Sequence, residues 1–210
     1  MKVTVFGANG NIGRLVVEIL LKKDFKVKAF IHKNNKLSKN INLSIYIGDI
    51  YDKKSVQEAI SGSDIVISTL GSWGTKHKNV LTIGMQNIIP AMQKHQIKKI
   101  ITLTGADAKT SNDNSSFLSN VTHKFISLSP AKKILSDGET HIRMLENSSL
   151  NWTVLRSPVM TNLSKNTNYK FTDKRPLPWS TINREAVAKS IVDIIETNEF
   201  SRKAPYIIND

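Results

Sequence analysis

The sequence predicts an α/β fold, a doubly wound parallel sheet in a single domain over residues 1–210, with loops elaborated toward the C-terminal side. Three observations carry this expectation. Short apolar runs alternate with stretches of helical periodicity. Those runs are apolar on both faces, as strands covered by helices on each side must be. A glycine-rich turn, GANGNIG (7–13), joins the first run to the first helix.

The elements follow in order. Residues 2–6 (KVTVF) read as a short buried strand. From Ile12, apolar residues recur at Leu15, Val16, Ile19 and Leu20, one face of a helix that ends near Lys22–Asp24, its lysines in the last turn where the helix dipole favours them. Strands are expected at 26–31 and 43–49, then a short helix over 52–60 with Asp52 as N-cap. A fourth strand covers 63–71. A helix spans about 76–95, and Pro90 should kink or split it. The fifth strand is 97–105. Residues 106–129 are polar and read as a long loop over a site. Ser129 and Pro130 then supply an N-cap and a first-turn proline for a helix over 130–147. The sixth strand is 150–158. Residues 159–181 read as loop with a short strand, placed as a lid or substrate-side flap, before a helix over 183–196 and a last strand at APYIIN (204–209). Right-handed crossovers leave few ways to connect such a series.

Composition narrows the function classes. The 210 residues are 40% apolar, enough for a sizeable core, and no apolar run is long enough to span a membrane. The chain starts in a strand-like run without signal-peptide anatomy, which points to a cytoplasmic protein. With no cysteine, disulfides and thiolate chemistry are out, and the scattered histidines show no metal-ligand spacing. The formal charge is +13, but the lysines are dispersed, so a basic surface with one anion site is expected rather than nucleic-acid binding.

The glycine loop is where the anion site is expected. One glycine at a strand end allows a tight turn, another lets backbone approach a diphosphate, and a third lets helix pack against strand. Gly7, Ala8, Asn9, Gly10, Asn11, Ile12 and Gly13 therefore make a dinucleotide-binding loop of the Rossmann type, its free amides facing the anion. The spacing is G-x-x-G-x-x-G. The second strand runs into His32, Lys33 and Lys36, and no acid lies between Asp24 and Asp49. A carboxylate to hold a ribose hydroxyl is missing and cations are present, so NADP(H) is expected over NAD(H). Ordinary surface lysines would leave the same trace.

Taken together, VFGANGNIGRLVV, GDIYDKKSVQEAISGSDIVISTLG, KKIITLTGAD, DGETHIRMLENSSLNWTVLRSP and NREAVAKSIVDIIE resemble the NmrA-like, NAD(P)H-binding branch of the atypical short-chain dehydrogenase/reductases. Flavin reductase/biliverdin reductase B and small bacterial NADH-flavin reductases belong to that branch. The resemblance covers nearly the whole chain. It implies that Asp49 and Ile50 lie near an adenine, Thr69, Leu70 and Gly71 along ribose and phosphate, Leu103 and Thr104 near the nicotinamide, and Ser157 and Pro158 beside its amide. Val159 stands where the biliverdin reductase relatives carry a histidine, which counts against copying their active site.

The chemistry left open is narrow. Tyr46, Tyr51, Tyr169 and Tyr206 are followed four residues on by Ile50, Ser55, Asp173 and Asp210, so no tyrosine–lysine acid/base pair is present. Two readings remain. One is a reductase passing hydride to a small electron-poor acceptor such as a flavin or quinone, which needs little protein acid because solvent supplies the proton. The other is a non-catalytic NADP(H)-binding redox sensor. Thr104 stands where the biliverdin reductase relatives carry a serine near the nicotinamide, and that resemblance makes it the candidate catalytic hydroxyl on the acceptor side. Asp137 and His141, at i and i+4, either orient a proton or tie their helix to the sixth strand. His123 and Trp73 fall in site loops. The expected partner is a small-molecule acceptor, with no membrane and a monomer or homodimer.

Overall fold

The computed structural model describes residues 1–73, 75–113, 128–129, 131–163, 165–197 and 199–210. Ten strands are seen there: β1 (Lys2–Phe6), β2 (Lys26–Ile31), β3 (Leu43–Ile47), β4 (Ile65–Ser68), β5 (Lys99–Gly105), β6 (Asn151–Ser157), β7 (Val159–Thr161), β8 (Tyr169–Thr172), β9 (Thr181–Asn183) and β10 (Tyr206–Asn209). The helices are α1 (Asn11–Lys22), α2 (Lys53–Ile60), α3 (Val80–Lys94), α4 (Lys132–Glu146) and α5 (Arg184–Thr197).

Eight strands form one sheet in the order β3-β2-β1-β4-β5-β6-β10-β8. All neighbours are parallel except β8, which runs antiparallel to β10. The order turns back between β1 and β4, which opens a crevice beyond the carboxyl ends of the strands, where ligands enter such sheets. Two apolar layers sandwich the sheet. Val16 and Leu20 of α1 pack with Ile191 and Ile194 of α5 on one face. On the other, Met85, Ile88 and Met92 of α3 meet Ile142 and Leu145 of α4. Each fully buried side chain of this size contributes about 1.5–3 kcal/mol.

Several boundaries depart from the sequence reading. The third and fourth strands are shorter, because ladder pairing to β2 and β1 stops at Ile47 and Ser68. Pro90 does not split its helix. Gln86, whose carbonyl loses its partner to the proline, and Pro90 itself are both exposed, so the gap lies on the solvent side and α3 runs unbroken. Helix α4 begins at Lys132 with Ala131 as N-cap, not Ser129, whose Oγ instead accepts from the Ala131 N–H at 3.2 Å. Pro130 and His123 lie outside the described residues. The stretch expected as loop at 159–181 carries β7 and β8 and meets β9, since β7 and β9 pair as a separate two-stranded ribbon. Among the described residues no helix is long and apolar enough to cross a membrane.

Candidate functional site

The first crossover is built around missing side chains. Gly7 turns the chain with φ +75°, a left-handed conformation that favours glycine. A Cβ there would lie 2.9 Å from the Thr69 carbonyl carbon and oxygen. Gly13 is tighter still: its Cβ would sit 2.1 Å from the Gly7 oxygen and 2.8 Å from Thr69 Oγ1. The β1 end, the β4 end and the start of α1 thus touch through backbone. Thr69 uses its hydroxyl to close this junction, donating to the Phe6 carbonyl at 3.0 Å and reaching the Gly7 carbonyl at 3.3 Å. Gly10 N–H donates back to the Gly7 carbonyl at 2.8 Å, which tightens the loop. No side chain caps α1, and no acid sits in its first turn, so its first amides remain for an incoming anion.

Asn9 has a role not foreseen from the sequence. Its Nδ2 donates to the carbonyls of Lys33 and Asn34, both at 2.9 Å, and its Oδ1 accepts from Lys36 N–H at 3.1 Å. The side chain staples the basic segment after β2 to the glycine loop. His32 and Lys33 are exposed on that segment. Arg14 was also missed. It follows Gly13 directly, and its Nε is buried without a hydrogen-bond partner. The signal was available, since an arginine in the first turn of a helix stands against the dipole.

The remaining positions line the same edge of the sheet. Asp49 Oδ1 accepts from Tyr51 N–H at 3.0 Å, and Asn87 Nδ2 holds the Ile50 carbonyl at 2.7 Å. Leu70 lies over Gly84, whose missing Cβ would be 2.8 Å from Leu70 Cδ1, while Gly71 is exposed with open space around it. Leu103 and Thr104 are buried near the end of β5, in register with Leu155 and Arg156 of β6. Thr104 Oγ1 is turned to α4, where a Cβ on Gly138 would lie 2.7 Å away. Ser157 and Pro158 follow at the end of β6. The Ser157 carbonyl accepts from Ala106 N–H at 2.8 Å and ties the two strand ends together. Trp73 and Trp179 stand largely exposed on loops after β4 and before β9.

Asp137 and His141 do not hold the sixth strand. Asp137 is buried and reaches α3: Oδ2 accepts from Ser72 Oγ at 2.5 Å and Leu81 N–H at 3.0 Å, and Oδ1 from Thr82 N–H at 2.8 Å and Oγ1 at 2.7 Å. It is the cap that α3 lacks, since Asn79 makes no side-chain capping bond. His141 is fully buried, with Nε2 at 2.8 Å from Thr102 Oγ1 on β5. Burial pushes its pKa down to about 4, only partly offset by the Asp137 carboxylate and the Gly138 carbonyl. Helix α4 packs over both β5 and β6, and His141 faces the β5 threonine rather than the sixth strand.

The uncapped amides, the space that only glycine leaves and the orphaned Arg14 nitrogen all suit a dinucleotide diphosphate. The family known as NAD(P)H-binding matches residues 7–198. This chain belongs to that family. The NAD(P)H-binding chain is 26% identical, over its full length, to the UPF0659 protein YMR090W of Saccharomyces cerevisiae, of which it covers 93%. A short-chain dehydrogenase/reductase from Veillonella parvula, solved in complex with NADP, superposes with a TM-score of 0.80 at 18% identity, covering 99% of this chain and 94% of that one. A Streptococcus pneumoniae protein assigned as an NADH-flavin reductase gives 0.77 at 20% identity, over 100% of both chains. At these identities the two structures carry the fold. The family places the chain among NAD(P)H-binding proteins.

Proposed function

We propose that this protein is an NADPH-dependent reductase that passes hydride to a small electron-poor ring such as a flavin or quinone. The observation that carries the reading is the backbone junction of Gly7, Gly13 and Thr69, which leaves the start of α1 open to a diphosphate. The reduced nicotinamide supplies the hydride when bound. The chain supplies position. Asn11 to Gly13 offer amides to the diphosphate, Asp49, Ile50 and Gly71 flank the adenosine half, and Ser157 and Pro158 back the nicotinamide half. His32 and Lys33 favour the coenzyme with the extra phosphate, and the unpartnered Arg14 Nε suits an anion beside the glycine loop. Thr104 is the proposed acceptor-side hydroxyl, held by its packing against α4. The missing tyrosine–lysine pair supports an acceptor that takes its proton from water.

A second reading, an NADP(H) sensor without turnover, is favoured by one observation. Asp137 and His141, which could have handled a proton, are both committed to packing. Mixing the protein with NADPH and a panel of flavins and quinones separates the two. Acceptor-dependent loss of reduced-coenzyme absorbance supports the reductase. Saturable NADPH binding without such loss supports the sensor. Replacing His32 and Lys33 with alanine should weaken NADPH far more than NADH, and equal weakening would refute the phosphate assignment.

A further inference from the structure

The loop before α3 and the first turns of α4 border an open cleft of about 550 Å³, a size small-molecule sites commonly have. Its wall is basic. Lys76 comes from the loop, and Lys132 and Lys133 come from the opening turn of α4. Among the described residues, none of these three makes an ion pair or a side-chain hydrogen bond. Lys78 shares the wall but folds back, donating to the Thr75 carbonyl at 2.5 Å and the Ser72 carbonyl at 3.4 Å.

One carboxylate reaches the cavity. Both oxygens of Asp137 are taken by the backbone and hydroxyls of Ser72, Leu81 and Thr82, and it makes no ion pair with the lysines. Thr140, whose hydroxyl accepts from Arg143 at 3.1 Å, also lines the cleft. The charges are also placed against local preference. Helix α4 has no acid in its first turn and two lysines there instead, at the positive end of its dipole. Free cations converging from two elements on one concavity are an anion site in electrostatic terms.

We propose that this cleft binds a small molecule bearing two or more carboxylate or phosphate groups, at a place separate from the dinucleotide crevice. Separation follows from the walls. Neither the glycine loop nor residues 32–36 nor Asp49 and Ile50 line the cleft. Thr69 to Gly71, Leu103, Thr104, Ser157 and Pro158 do not line it either. Two lysines side by side on α4 and a third across from them suit separated negative groups better than a single one.

The test is calorimetry on the full chain already saturated with NADP⁺, titrated with citrate and separately with inorganic phosphate, at matched ionic strength. The expected result is saturable binding at one site, tighter for citrate than for phosphate. The exposed pair Lys132→Gln and Lys133→Gln should weaken citrate at least tenfold and leave NADP⁺ affinity unchanged. Lys76→Gln, on a different element, should weaken citrate independently. Absence of saturable heat, equal citrate affinity in these variants, or displacement of NADP⁺ by citrate would each overturn the proposal.

Discussion

Asn9 holds Lys33 by the backbone: the asparagine amide nitrogen donates to the Lys33 carbonyl at 2.9 Å while its oxygen accepts from Lys36 at 3.1 Å. The proposed diphosphate loop and the proposed phosphate-selecting segment are thereby one mechanical unit. Asn9→Ala should free residues 33–36 and blur the preference between coenzymes. The expected outcome is a roughly tenfold rise in KM for NADPH, worth about 1.4 kcal/mol, with little change for NADH. Steady-state kinetics with both coenzymes checks it. A rise of equal size for both would place the effect in the glycine loop alone.

Gly13→Ala tests the close approach. Its Cβ would fall 2.1 Å from the Gly7 oxygen and 2.8 Å from the Gly7 carbonyl carbon, both backbone atoms in a packed junction. We expect a stability loss of about 1–3 kcal/mol or more and loss of coenzyme binding. Gly71→Ala is the matched control, since nothing lies within 4 Å of that position. Its melting temperature should stay that of the parent. A changed coenzyme KM in Gly71→Ala, at unchanged stability, would show that a ligand lies against that backbone.

What the residues reveal in sequence is set by range. Periodicity along Ile12 to Leu20 and the even apolar runs of β1 and β2 are local, and their bounds match the structure closely. Asp52 caps α2 as its position suggests, accepting from Lys54 and Ser55. Three-residue β9 has no room for a period, and it exists because β7 pairs with it. Asp137 was placed on the right helix face, but its partners Leu81 and Thr82 lie more than fifty residues away, and nothing local names them. Likewise the glycine spacing indicates the loop, while the Asn9 staple depends on where the segment after β2 returns.

Asp137→Ala should unfasten α3. The change removes a buried acceptor from two backbone amides and two hydroxyls, and hydrogen bonds to a charged group are each worth about 1.5–3 kcal/mol. A fall in melting temperature is expected, together with faster hydrogen exchange at the Leu81 and Thr82 amides. Asp137→Asn keeps one carbonyl acceptor and should fall between parent and alanine variant. Unchanged exchange at Leu81 and Thr82 would show that α3 does not depend on this cap.

His141 makes stability depend on pH in a defined window. Its ordinary value is 6.5, and burial lowers it to about 4 in the folded chain. Between those values the unfolded chain takes up a proton that the folded chain refuses. Stability is therefore intact above 6.5 and is lost as pH falls toward 4, at up to about 1.4 kcal/mol per pH unit. Below about 4 both states carry the proton and the loss stops growing. His141→Gln does not titrate and keeps a polar group facing Thr102 Oγ1. Denaturant unfolding at pH 7 and pH 5 should show a larger drop for the parent than for this variant, the difference being the histidine's share, since the carboxylates titrate in both. Equal drops would mean that His141 gains its proton as readily folded as unfolded, and that the layer between α4 and β5 is open to water.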